Sequence, residues 1–552
     1  MGHERNDIVA DEASRGESEP KGLDHTVSNQ IGDMNLETGH QLERGLKSRH
    51  IQFLALGGAI GTGLFVGSGQ ILATAGPAPL FMAYLSMMAC VWVVMNNLAE
   101  MVTYLPMKGI SIPYFVGRFV EPSLAFADGW NYWYAYTMLV AAECTAGAII
   151  LQYWTNAVPV AVWIALQLLV ILFLNIIAVS FFGEAEFWFA SVKLLTIIGL
   201  IILGIVLFFG GGPNHDPLYF RYWQDPPGAF VPFLVSGNTG RFLAYWTAFV
   251  RAGFSFITSP ELIALSAGET VAPRRNIPKA ARRFVWRLAI FYGLGSLVIG
   301  VIVPNDDPQL LSGDSNASAS PYVLGIARAG IKGLNHVINA AVLTSAWSAG
   351  NAFCYSGSRV LYSMSLNGQA PRWFGRTTKR GVPWVAVVFT LLVGCLAFLN
   401  VSNSGSQVFQ WFTNISTISG FIAWIVIMIT YLRFRRAMEH HGMLESLPFR
   451  TPLQPYATYV VLFIISLLTL TNGFQVFFPS EWSVSGFLAA YITIPIFLVL
   501  YLVHKIVCRT PLAIHIADVD VLSGKKEMDD MCAADVEPVP RNWVEKAWFW
   551  LA

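Results

Sequence analysis

Gly57-Gly-Ala-Ile-Gly-Thr-Gly63 stands in the middle of an apolar run, residues 50–76, that is otherwise long enough to cross a bilayer as one helix. Glycine costs about 1 kcal/mol per residue against alanine inside a helix. Backbone groups freed in hydrocarbon add several kcal/mol more unless a cavity or a ligand satisfies them. The cluster therefore reads as a membrane helix broken at its midpoint to hold something. The competing reading is close helix packing, because Gly57-x-x-x-Gly61 and Gly63-x-x-x-Gly67 also carry the spacing that lets two helices approach.

The surrounding chain has the composition of a polytopic helical membrane protein. Of 552 residues, 55% are hydrophobic and 12% charged, about half the charged share of soluble proteins, and the mean hydropathy is +0.52. Twelve apolar runs follow one another: 50–73, 79–104, 124–153, 158–180, 184–209, 241–268, 284–303, 335–366, 382–401, 407–432, 457–477 and 484–506. An even number of spans puts both termini on one side. The net charge of +1 says little as a total, whereas its placement is informative. Residues 76–79, 155–159 and 402–406 hold no Lys or Arg. Arg274, Arg275, Lys279, Arg282, Arg283 and Arg287 cluster between spans six and seven; Arg372, Arg376, Lys379 and Arg380 follow span eight; and Arg433, Arg435 and Arg436 follow span ten. The excess of positive charge on alternate loops places both termini in the cytosol.

The expected domains are a disordered cytosolic tail over 1–47, a twelve-helix domain over 48–507 and a cytosolic tail over 508–552. Trp543, Trp548 and Trp550 beside Arg541 and Lys546 read there as an interfacial helix. Residues 1–47 hold no apolar core of the kind a cleavable signal needs. The six cysteines form no zinc spacing and no extracellular pair. The sequon Asn316-Ala-Ser318 falls in an outer loop.

A second interruption lies in span six, where Phe254-Ser-Phe-Ile-Thr-Ser-Pro-Glu261 breaks an apolar run that resumes at Leu262. Pro260 removes a backbone donor and disfavours helix before it. Spans one and six are five apart, the separation expected when five helices repeat with inverted topology and the first of each set is discontinuous. Such a pair suits a zwitterion. Amides around Gly61, Thr62 and Gly63 can hold a carboxylate at the positive end of a half-helix, and unwound carbonyls over 254–259 can take an ammonium.

Ionisable residues inside spans are the next signal, since each costs at least about 2.5 to 3.5 kcal/mol at the bilayer centre. Glu143, deep in span three, can hold a ligand, carry a proton or simply bridge helices. Lys193, midway along span five, is far from either face for snorkelling and can exchange protons if its ammonium is destabilised. Arg251 stays charged and can only attract or screen; its alternative is a brace for the fold. Glu261 can cap the resumed helix. Glu100 and Glu269 lie at cytosolic span ends as partners of the basic loops. Phe254 can act as a lid, and Thr258, Ser259 and Thr413 can line the pocket or bond between helices. Gly61-x-Gly63 lacks the strand context of a dinucleotide loop, and no P-loop or metal cluster occurs. The reading is of no enzyme, no cofactor, no metal and no nucleic-acid partner.

Several longer motifs carry a resemblance over roughly residues 44–510: Gly57-Gly-Ala-Ile-Gly-Thr-Gly-Leu-Phe-Val-Gly67, Gly129-Trp-Asn-Tyr-Trp133, Gly183-Glu-Ala-Glu-Phe-Trp188, Ala267-Gly-Glu269 with Pro273-Arg-Arg-Asn-Ile-Pro-Lys279, and Thr344-Ser-Ala-Trp-Ser-Ala-Gly-Asn351. The chain resembles fungal amino-acid permeases of the yeast amino-acid transporter family, within the amino acid, polyamine and organocation superfamily. Ser416-Thr-Ile-Ser-Gly-Phe421, Ala490-Tyr-Ile-Thr-Ile-Pro-Ile-Phe497 and Arg282-Arg-Phe-Val-Trp-Arg287 are most similar to the proline-permease branch. The resemblance implies an all-α polytopic fold with a five-plus-five inverted repeat and two extra helices, and proton-driven uptake of proline or a similar small neutral amino acid across the plasma membrane. Gamma-aminobutyrate or a broader set of small amino acids is the alternative substrate, and a nutrient receptor on the same scaffold is the alternative class. It also implies that Gly61 and Thr62 match a carboxylate-binding turn, Glu143 the third-span acid, Phe254 an aromatic gate and Lys193 a lysine that replaces a sodium site. Thr258, Ser259, Phe353 and Thr413 fall near positions that tune side-chain choice. Arg251 departs from the lysine common in proline permeases. The expected partners are the amino acid, protons, the lipid bilayer, and cytosolic ubiquitylation and trafficking machinery acting on lysines such as Lys21, Lys47 or Lys525.

Overall fold

The computed structural model describes residues 61–105, 112–177, 179–224, 226, 228–261, 273–311, 320–526, 529 and 542. Residues 57–60 of the glycine cluster, Leu262, Glu269, the sequon at Asn316, Lys21, Lys47 and the tryptophans of the C-terminal tail lie outside them, as does nearly all of the N-terminal half of span one.

The fold is all-α: the described residues contain no strand, and their long helices follow the order of the twelve apolar runs. Among the described residues seven helices are long and apolar enough to cross a membrane, and Val484–Tyr491 with Thr493–Cys508 makes an eighth, bent by 46°. Span one continues from Gly63 to Ala75 and span eleven is Tyr456–Leu470, both apolar but short. Span eight, Leu334–Leu366, is full-length yet weakly apolar because it faces the interior. It buries Ser345, Ser348, Asn351, Ser356, Ser358, Ser363 and Ser365 along with its apolar residues. Span six, Gly237–Ala252, stops halfway.

Span three, Pro122–Gln152, forms the axis, packed against spans eight and ten (Gly405–His440) and on its far side against span twelve. Span one lies between spans two (Pro77–Tyr104) and six. Spans eleven and twelve pack outside this ten-helix body on spans two, three and ten. Span seven is longer than its hydropathy foretells. It begins at Pro273, where Ile277, Ala281, Phe284 and Leu288 give a buried stripe at helical spacing beneath the arginines, and continues through a π turn at Ala289–Leu294 into Gly295–Ile302. Two eight-residue helices, Ile112–Phe119 and Pro321–Arg328, are too short to register as spans. The second seats Tyr322 edge-on against Phe65 at 6.0 Å and bonds its hydroxyl to the Gly295 carbonyl.

The end that bears the basic loops is closed by polar contacts. Glu100 is buried and accepts from Tyr431 at 2.7 Å and from the Thr451 amide and hydroxyl, with Arg435 at 3.6 Å. Residues 510–526 wrap beneath. Tyr104 donates to the Val521 carbonyl, Arg118 to the Asp520 and Ser523 carbonyls, and Arg433 to the Ile514 carbonyl. Burial pushes the Asp520 carboxyl up, but bonds from Ser523 and the Arg118 charge outweigh it and hold the group below its ordinary value. That hold is complete above pH 3.8 and is lost only as pH falls below it, so the turn at residues 520–523 and its contact with Arg118 keep full strength near neutrality.

Candidate functional site

The break in span six is built by its own sequence. Helix ends at Ala252, Gly253–Ser255 forms a 3-10 turn, and the chain turns through Thr258 before helix resumes at Ser259 with Pro260 in the first turn. A Cβ on Gly253 would stand 2.4 Å from Cζ of Phe421, so span ten presses directly on this backbone. Thr258 has φ 63°, a left-handed conformation that costs a β-branched residue about 1–3 kcal/mol.

Span one meets it. Gly61 is a bend, Thr62 begins helix, and Gly63–Gly67 forms a π-helical turn before Ser68–Ala75. A Cβ on Gly63 would fall 2.5 Å from Oγ and 2.7 Å from Cα of Ser255, so the two interrupted spans touch backbone to backbone. Gly67 meets nothing so close; the nearest atoms to a Cβ there are a Phe254 ring carbon and the Thr62 carbonyl oxygen, both at 4.0 Å. The close approach thus joins one break to the other rather than two intact helices. Tyr84 clamps the junction, bonding the Gly63 carbonyl at 3.2 Å and Ser255 Oγ at 3.0 Å, and Tyr292 donates to the Ser255 carbonyl at 2.9 Å. The Ser255 carbonyl is therefore taken, which narrows the carbonyls open to an ammonium. Tyr84→Phe removes both bonds of its hydroxyl, each worth about 0.5–1.5 kcal/mol. A lowered melting temperature in detergent, with uptake reduced rather than abolished, is the expected result; an unchanged melting temperature would deny the clamp.

Glu143 closes the other side. Its Oε1 accepts from Thr62 Oγ1 at 2.9 Å, and a Cβ on Gly61 would lie 3.4 Å from the same oxygen. Gly350 of span eight packs against its Cβ. Its Oε2 has no partner, and neither have Thr258 Oγ1 and Ser259 Oγ, all of them buried. An unsatisfied buried polar atom costs about 1–3 kcal/mol, a cost that a polar ligand bound at the breaks would lower. Lys193, fully buried in span five (Val179–Phe208), lies within electrostatic reach of both Glu143 and Glu186, and Glu186 accepts from Ser348 at 2.7 Å.

The remaining candidates separate from this centre. Arg251, Phe254 and Thr413 line a cleft with Gly67, Gln70 and Gln475, on the side away from the basic loops. Arg251 donates to Thr74 at 2.9 Å and to Gln475 at 3.4 Å, and Phe254 stands edge-on to Phe409 at 5.7 Å between cleft and junction. Phe353 lies on span eight against Tyr136, ring centroids 6.3 Å apart. Glu261 does more than follow a proline: Trp424 donates to its Oε1 at 2.9 Å and Tyr132 approaches at 3.5 Å, joining it to spans ten and three. Sequence reasoning passed over Tyr84, Tyr292 and Glu186, and took from Ser255 its carbonyl alone. Only Glu186 carried a signal, a carboxylate inside an apolar run.

Three comparisons bear on this arrangement. Residues 50–515 match the family described as amino acid permease. The chain is 60% identical over 513 residues to the proline-specific permease of Emericella nidulans, covering 92% of this chain and 93% of that one. It is 53% identical over 500 residues to a probable proline-specific permease of Schizosaccharomyces pombe, covering 90% of each. The solved structure of a manganese transporter from Eremococcus coleocola has the same fold at a TM-score of 0.54, with 16% identity, over 88% of this chain and 96% of that one. With the helical bundle and its paired breaks, these matches make the chain a multi-pass membrane protein that belongs to the amino acid permease family.

Proposed function

We propose that this chain is a symporter that imports proline, or a similar small neutral amino acid, together with protons across the plasma membrane, with both termini in the cytosol. The observation that carries the reading is the junction of the two broken spans, where Gly63 meets Ser255 and Thr62 donates to Glu143. The names of the two fungal relatives support proline as the substrate.

In this reading the carboxylate sits on the amides around Gly61, Thr62 and Gly63, and the amine lies toward the unwound carbonyls of 254–259. Thr258 and Ser259, whose hydroxyls lack partners, bound the side chain. Phe353 shapes the pocket from span eight. Arg251 and Thr413 act earlier, in the cleft, where a guanidinium attracts the carboxylate of an arriving zwitterion; Phe254 is the lid between cleft and centre. Glu143 and Lys193 carry the coupling, because a carboxyl and an amine in electrostatic contact can exchange a proton as substrate comes and goes. The cytosolic tails carry lysines, Lys525 among them, on which ubiquitylation and trafficking machinery would act.

The test is uptake of labelled proline by cells expressing the protein, with the common amino acids as competitors. Uptake rises as external pH falls, collapses with an uncoupler, and is competed best by proline. Uptake unaffected by dissipating the proton gradient would remove coupling; no flux in reconstituted vesicles would favour a receptor.

A further inference from the structure

Span three carries a polar stripe that the central site does not use up. Asp128, Tyr132, Tyr136 and Glu143 recur at intervals of four, four and seven residues, which keeps them on one helical face. At 1.5 Å per residue the stripe runs about 22 Å from Glu143 toward the basic-loop end. Asp128 is fully buried, and neither of its carboxylate oxygens has a hydrogen-bond partner. One helical turn along, Tyr132 reaches Glu261, also fully buried, whose Oε1 is held by Trp424 and Tyr132 and whose Oε2 is unpartnered.

The groups facing this pair come from four elements. Tyr132 and Tyr136 lie on span three and Glu261 lies in the first turn of the resumed half of span six. Trp424 reaches in from span ten, and Met364 of span eight packs beside Asp128 against Gly129. Among the described residues the charged group that acts on Asp128 is Glu261, and no basic side chain pairs with it. Two ionised carboxylates without a cation cannot share such a site cheaply. A proton resident on one of them removes the conflict, and Trp424 and Tyr132 hold Glu261 Oε1 in place.

We propose that Asp128 and Glu261 form a second proton-binding site, the one from which the transported proton leaves on the cytosolic side. The proposal rests on the proton-coupled reading above. The chemistry is proton transfer alone. The pair rests as one acid and one carboxylate; the transported H+ binds the remaining carboxylate, giving two neutral acids, and passes to water at the cytosolic end, restoring one acid and one carboxylate. Tyr136 and Tyr132 lie between the two sites as hydroxyls along the route. Glu143 and Lys193 then load the proton with substrate, whereas this pair unloads it.

The experiment uses the full chain in proteoliposomes with labelled proline, comparing gradient-driven accumulation with counterflow exchange at equal pH on both sides. Asp128→Asn and Glu261→Gln are expected to keep counterflow and to lose accumulation by roughly a hundredfold, the lower range of what a positioned proton-transfer group contributes. Asp128→Glu restores part of it. Accumulation equal to wild type in both variants would overturn the proposal. Loss of counterflow along with accumulation in both would also overturn it, since the pair would then brace the fold. Wild-type accumulation driven by sodium or potassium and lost in Asp128→Asn would replace the proton by a metal cation. If wild-type accumulation survives an uncoupler, it is the proton-coupled reading that fails.

Discussion

Gly63→Ala is expected to abolish uptake while the protein still reaches the membrane. The added methyl would stand 2.5 Å from Ser255 Oγ and 2.7 Å from Ser255 Cα, and the second of these is backbone that no rotamer change can move. Overpacking of this kind costs about 1–3 kcal/mol where a core can adjust. Here the adjustment separates the two breaks and strains the Tyr84 bonds that span them. At about 1.4 kcal/mol per factor of ten, the upper value lowers occupancy of the closed junction more than a hundredfold. Ser255→Ala or Ser255→Gly in the same background does not rescue, because the clash with the backbone of residue 255 survives both. Gly67→Ala is the control: with its nearest neighbours at 4.0 Å it tolerates a methyl, and uptake stays near wild type. Surface expression checked by biotinylation and initial rates of labelled proline uptake measure the outcome. Near-normal rates in Gly63→Ala would show that the junction need not close for transport.

Lys193→Met is expected to separate accumulation from binding. Lys193 is buried in span five and acts on the centre through the charges of Glu143 and Glu186. Methionine keeps the unbranched stem and much of the volume and removes the exchangeable proton. The steady-state gradient of labelled proline should fall to equality across the membrane, while equilibrium binding to purified protein changes little. Loss of binding with accumulation would make Lys193 a brace for Glu143 rather than part of the coupling. Retained accumulation would exclude it from coupling altogether. Glu143→Gln is harsher, since it alters the partner of Thr62 as well as the charge, so binding and accumulation fall together.

Hydropathy recovered the order of the helices because burial in lipid is written in runs of apolar residues. The break in span six was legible in Pro260 and in the polar Thr258 and Ser259. Where a helix faces the interior the same signal fails. The serines of span eight make a full-length helix look weak, and the arginines over Ile277, Ala281 and Phe284 conceal the first half of span seven. A one-dimensional pattern gives the depth of a residue but not its direction. Arg251 was read from its place one turn before the break and Thr413 as a small polar group lining the pocket; the structure sets both, with Phe254, along one cleft. The Tyr84 clamp was illegible for a related reason, because a tyrosine in an apolar run is ordinary until its hydroxyl is seen bridging two backbones. Asp128 escaped notice at the end of a span, where charge is common; only its burial without a partner sets it apart.

The measurement that bears most directly on the paired breaks is an experimental structure of the protein with proline bound. The account predicts density against the junction, the carboxylate on the amides around Gly61, Thr62 and Gly63, the ring amine toward residues 254–259, and Phe254 over the opening to the cleft. Density confined to the cleft beside Arg251, or spans one and six running unbroken past an empty centre, would contradict it.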